Sequence, residues 1–147
     1  MSDLLNNVTA LLDAAELKYE LRCDDNRELI DLGRMSNNPP YSLQIYVSEE
    51  NSLVNMIAGA ECYMPENKRE AACVLLNKSN FEYMHKSYID PNDGQLMSQR
   101  CLDVDGGALN KDVLFAAMGS IYAALKNNYD ALMRMRYAGN LPDKIEE

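Results

Sequence analysis

A chain of 147 residues with 47% hydrophobic and 25% charged residues is sized and composed for one globular domain, and that balance argues against disorder. Its formal charge of −9 argues against a nucleic-acid partner, because phosphate binding requires clustered Lys and Arg, and equally against an anionic membrane surface. An acidic surface suits solubility and basic protein partners. Nine methionines and nine tyrosines without a tryptophan describe adaptable surfaces rather than one rigid anchor.

Leu4, Leu5, Val8, Leu11, Leu12 and Ala15 recur at helical spacing, and Ser2 and Asp3 offer cap chemistry, so a helix is predicted over 3–15. No basic segment of a signal peptide precedes it. Tyr19, Leu21 and Cys23 alternate with Glu20 and Arg22 as a short strand, and Asp24-Asp25-Asn26 reads as a turn. Glu28 to Met35 returns as a strand with Ile30 and Leu32 on one face. Asn37-Asn38-Pro39-Pro40 then breaks the chain, since two prolines remove two donors.

Beyond it lies the strongest strand pattern, with Tyr41, Leu43, Ile45 and Val47 on one face and Ser42, Gln44, Tyr46 and Ser48 on the other. Leu53 to Ala60 is its return strand, apolar on both faces: Val54, Met56, Ala58 and Ala60 against Leu53 and Ile57. Helices should cover one face; the other fits either a second copy of the chain or a simple central strand. Pro65 suits the first turn of a helix that buries Ala72, Cys73, Leu75 and Leu76 and ends near 77–80. Phe81 to Asp90 is predicted as an edge strand of mixed faces, turning at Asp93-Gly94 into a strand over 95–104. Asn110 caps a last helix with a core stripe of Leu114, Met118, Ile121, Leu125, Leu132 and Met135. Phe115, Tyr122 and Tyr129 form a second line, open to core packing or to a partner. Gly139 ends that helix; residues 1–140 make one domain and 141–147 a short polar tail.

Candidate chemistry is sparse. His85 is the only histidine, so Ser-His or Cys-His catalysis would run through it, and no carboxylate lies two residues to either side. It is predicted as an ordinary edge or surface residue. Cys62 lies near a helix N-terminus, where a thiol can be acidified, but nothing nearby orients it. Cys23, Cys62, Cys73 and Cys101 form no C-x-x-C pair, which leaves zinc unsupported and reduced cytoplasmic thiols the expectation. Asp90, Asn92 and Asp93, like Asp103 and Asp105, miss the spacing of a calcium loop and read as turns. Gly106-Gly107 is no dinucleotide fingerprint. No apolar run approaches the roughly 20 residues that span a bilayer.

The run Arg69 to Leu76-Asn77, then Ser87-Tyr88-Ile89-Asp90, Asp93-Gly94, and Leu102-Asp103 with Gly106-Gly107, resembles the YbjN-like family, a group named as bacterial sensory transduction regulators. Tyr41-x-Leu43-x-Ile45-x-Val47-x-Glu49 fits its central strand, and the resemblance runs from Leu4 to Gly139. It implies an α+β fold like that of type III secretion chaperones, α-β-β-β-α-β-β-α, with helices on an antiparallel sheet and often a dimer. Periodicity adds one short strand before Asp24. The resemblance also implies a small acidic protein that binds other proteins, with no catalytic residue carried over.

The function expected is a non-enzymatic, chaperone-like or regulatory adaptor acting as a homodimer, with no cofactor and no metal. Val54, Met56, Ala58, Phe115, Tyr122 and Tyr129 are its expected partner-binding residues. The alternative is a regulatory domain that senses a small molecule between sheet and helices.

Overall fold

Apolar alternation through the first half of the chain closes into an antiparallel meander, which the second half extends. The computed structural model describes residues 3–25, 27–82, 85–104 and 109–138. Helix α1 spans Asp3–Ala14, followed by strands β1 (Glu20–Asp24), β2 (Arg27–Asn37), β3 (Pro40–Ser48) and β4 (Leu53–Tyr63). A 3-10 turn at Glu66–Lys68 leads into α2 (Arg69–Glu82), then β5 (Lys86–Ile89), β6 (Gln95–Asp103) and α3 (Lys111–Ala138). The six strands form one antiparallel sheet in the order β1-β2-β3-β4-β6-β5. The expected α+β architecture is therefore present, and the short strand before Asp24 is a full edge member.

Register sorts the side chains. Leu21, Ile30, Ile45, Met56 and Arg100 lie in one row across the sheet, and Arg22, Leu29, Tyr46, Asn55 and Cys101 in the next. Successive residues of a strand point to opposite faces, so these rows belong to opposite sides. The core takes Ile30, Ile45 and Met56 with Leu4, Leu12, Leu76, Leu114, Ile121 and Leu125 of the three helices, while Leu29 and Ile57 lie outside it. The helices thus cover one face: α1 against β3, α2 against β5 and α3, and α3 against β4 and β6. Among the described residues, the helical side chains of the core all lie on that first face.

Local chemistry fixes the joints. Asn110 caps α3 with its Oδ1, which accepts from the Asp112 amide at 2.7 Å. Gly33 takes a φ of +64° where β2 slips register against β3, and Asp31 Oδ1 accepts its amide at 2.9 Å. The turn after β5 closes with Gly94 at φ +81°, its amide donating to the Asp90 carbonyl at 2.8 Å.

Two expectations are corrected. The stretch from Phe81 to Asp90 is not one strand: α2 continues through Glu82, and only Lys86–Ile89 is strand. Tyr83 and Met84 lie outside the described residues, as do residues 105–108, with Gly106 and Gly107, and everything from Gly139 onward. Cys73, expected in the core, is exposed, and Leu75 is only half-buried, because α2 turns a narrow face of Ala72 and Leu76 inward. Among the described residues no helix is long and apolar enough to cross a membrane.

Candidate functional site

The two residues that would carry catalysis are both inside the protein. His85 is 4% exposed rather than on the surface, which corrects its expected placement. It points to the helix-covered face, and burial, with the Arg100 charge adding to it, holds its imidazole below the ordinary 6.5. Cys62 is fully buried near the end of β4, and burial pushes its thiol up, a rise that the Arg136 charge partly offsets. A thiol shifted that way is a poor nucleophile.

Among the described residues no three His, Cys, Asp or Glu side chains gather as a metal site. Asp90 and Asp93 spend their carboxylates on the turn itself, accepting the amides of Asn92 and Gln95 at 2.9 Å each.

The six expected partner-binding residues do not share a surface. Val54, Met56 and Ala58 are fully buried on the face that α3 covers, so this chain's own helix occupies the place assigned to a partner. Phe115, Tyr122 and Tyr129 are half-buried and pack against the same core. The Tyr122 ring lies 6.0 Å from that of Tyr41, and its hydroxyl donates to the Asn38 carbonyl at 3.1 Å. Within the second aromatic line, Tyr122 thus tethers α3 to the β2–β3 turn.

Exposed apolar surface lies instead on α2. This helix is held from several sides. Arg69 Nε donates to the Met64 carbonyl at 3.0 Å and its guanidinium to the Pro91 carbonyl at 3.3 Å. Just before it, Lys68 donates to the Met135 carbonyl at 3.2 Å and to that of Arg136, at the C-terminal end of α3, where a cation is favoured. Near its own end Asn80 binds both backbone groups of Ser87. Fixed this way, α2 presents Val74 at 69% and Phe81 at 91% exposure, seven residues apart, with Glu70, Ala71, Asn77 and Lys78 around them. Sequence reasoning missed both apolar residues. The signal was there in Val74, which lies off the stripe of Ala72 and Leu76 and gives α2 apolar residues on two sides.

Beneath α2 lies a buried polar cluster. Asn128 Nδ2 of α3 donates to Ser79 Oγ at 3.2 Å and to Ser87 Oγ at 3.3 Å, and Ser87 and Ser98 share a 3.3 Å hydrogen bond. Each hydroxyl is satisfied, so polar atoms rest in the core without a large desolvation cost. The opposite sheet face is of another kind. A groove of about 300 Å³ there is lined by Ser42, Gln44, Ile57, Glu61, Gln95 and Met97. Asn55 Oδ1, on the same face, is buried with no hydrogen-bond partner among the described residues.

No family model matches the chain, and no curated protein matches it in sequence. Among solved structures it is similar to the crystal structure of YbjN, a putative transcription regulator from E. coli, at 13% sequence identity and a TM-score of 0.61. The match covers 89% of each chain. An identity that low speaks for the shared architecture rather than for shared chemistry. In fold, this chain is a YbjN-like α+β domain.

Proposed function

We propose that the chain is a non-enzymatic protein-binding domain, a chaperone-like or regulatory adaptor that acts as a homodimer. The observation that carries this reading is α2: a helix anchored at both ends that leaves Val74 and Phe81 in solvent. Large apolar side chains presented on a rigid element favour protein contact. The burial of His85 and Cys62, each shifted toward its uncharged form, also weighs against their use in catalysis. The regulator label of the E. coli protein of this fold fits the same reading, and with a net charge of −9 regulation here runs through protein contact rather than through DNA phosphates.

Light scattering across the micromolar range, followed by capture of partners on the immobilised chain at two salt concentrations, tests it. A mass rising toward twice that of the chain, with one partner retained in fixed stoichiometry, is expected. A strict monomer that retains nothing would overturn the reading.

A further inference from the structure

We propose that the cleft between α2 and α3 binds a free aliphatic α-amino acid, holding its ammonium and carboxylate groups at once. The site goes beyond protein binding and does not depend on the homodimer. The cleft holds about 360 Å³ and is lined by Leu75, Lys78, Ser79 and Glu82 of α2 and by Asn127 and Asn128 of α3. Ligand clefts run from roughly 300 to 1,000 Å³, so this one suits a small metabolite rather than a nucleotide or a peptide.

Its floor is fixed and its rim is charged. Asn128 is 5% exposed, and its hydrogen bonds to Ser79 Oγ and Ser87 Oγ both run from Nδ2. That leaves Asn128 Oδ1 as an acceptor, and the Ser79 hydroxyl, which accepts from Asn128, keeps its own proton to donate. At the rim Lys78 and Glu82 are exposed and stand one turn apart. Among the described residues neither forms an ion pair. Lys before Glu is the less favourable order for pairing along a helix, so both charges stay open to a ligand.

The placement of these groups selects a zwitterion. Glu82 closes α2 at the end where the helix dipole attracts a cation, and the last turn carries no basic residue. A ligand ammonium fills that place, with the Glu82 carboxylate as counter-charge and Asn128 Oδ1 as a further acceptor. One turn back, Lys78 pairs with the ligand carboxylate, which also takes the Ser79 hydroxyl and the Asn127 amide as donors. Leu75 is the apolar wall on which an aliphatic side chain rests. A phosphate would meet Glu82 in a chain of net charge −9, and a simple amine would leave Lys78 unmatched. An open polar cleft and so small a ligand give a dissociation constant on the order of a millimolar.

Titration of the isotope-labelled full chain with L-leucine, followed by NMR, tests the site against two half-ligands. Isocaproate lacks the ammonium group, and isoamylamine lacks the carboxylate. Leucine should move the Ser79 and Glu82 amides and the Asn128 side-chain amide saturably, and each half-ligand should bind on the order of tenfold more weakly. Lys78→Gln and Glu82→Gln, both at exposed positions, should keep the wild-type unfolding midpoint and each weaken leucine several-fold. The losses should be selective: Glu82→Gln should bind isocaproate as tightly as leucine, and Lys78→Gln should bind isoamylamine as tightly. Shifts that are absent, non-saturating or centred elsewhere overturn the site. So do half-ligands as tight as leucine on wild type, or variants that keep the wild-type preference. None of these outcomes bears on the homodimer, which light scattering decides.

Discussion

The carboxamide of Asn80 grips the backbone of Ser87 from both sides. Its Oδ1 accepts the Ser87 amide at 2.7 Å, and its Nδ2 donates to the Ser87 carbonyl at 2.9 Å. β5 is the last strand of the sheet, so these are backbone groups that β6 does not use. The side chain thus stands where a seventh strand would pair, and it closes that edge against other chains.

Asn80→Ala leaves both Ser87 backbone groups without that partner and should cost about 1–3 kcal/mol. Urea midpoints give the loss, and hydrogen exchange locates it, with the Ser87 amide losing most of its protection. Unchanged exchange at Ser87 would show that another group serves the edge.

The two constrained glycines separate backbone strain from overlap. Gly33 and Gly94 both have positive φ, but a Cβ on Gly33 meets open space, whereas one on Gly94 overlaps the Met64 carbonyl oxygen and lies 2.8 Å from Arg69 Nε. Gly33→Ala should cost only the left-handed term, about 1–2 kcal/mol. Gly94→Ala should cost roughly 3 kcal/mol or more, because a backbone oxygen cannot step aside. Equal midpoints for the two variants would refute the distinction.

These joints also show how far the sequence could be read. The alternations of β3 and β4, the Asn110 cap and the Asp93-Gly94 turn follow from neighbouring residues, and the structure places them as read. The end of α2 does not follow that way. Phe81 and the residues after it favour strand locally, yet the helix runs through Glu82. What holds it there includes Asn80 on Ser87 and Ser79 on Asn128, the second of these 49 residues away. His85 is expected at an edge or on the surface for the same reason: a polar side chain on a strand reads as solvated, and the burial of this stretch rests on distant partners, as when Ser87 meets Asn128 at a separation of 41 residues. Phe81 is the inverse case. An aromatic on a helix is expected inside, and its exposure depends on how α2 is rotated by contacts that local pattern does not contain.

Buried neutral His85 makes stability depend on pH. Its folded pKa lies below the ordinary 6.5, chiefly through burial and also through Arg100, so between those two values the unfolded chain binds the extra proton. Its contribution is therefore fully present above about pH 6.5 and is lost as pH falls through the lower, folded pKa. Urea midpoints measured from pH 7.5 to pH 5, values chosen to bracket roughly the ordinary titration range, should decline in wild type. The decline should be shallower in His85→Gln. Parallel slopes in the two proteins would assign the dependence to other groups.

Tyr122 distinguishes an internal tether from a free contact surface. Its ring packs beside Tyr41, and its hydroxyl reaches across 84 residues of sequence to the Asn38 carbonyl, joining α3 to the β2–β3 turn. Tyr122→Phe removes only the hydrogen bond and should cost about 0.5–1.5 kcal/mol, nearer the lower end because the bond is exposed. Tyr122→Ala also removes the ring from a half-buried site and should cost about 2 kcal/mol or more. Both losses belong to the isolated chain, so they should appear in unfolding midpoints at the lowest usable concentration and should not change with concentration. A surface residue kept for a partner behaves differently: its truncation leaves the monomer's midpoint within about 0.5 kcal/mol of wild type. That second result for Tyr122→Ala would return the aromatic line of α3 to the candidates for partner binding, beside Val74 and Phe81.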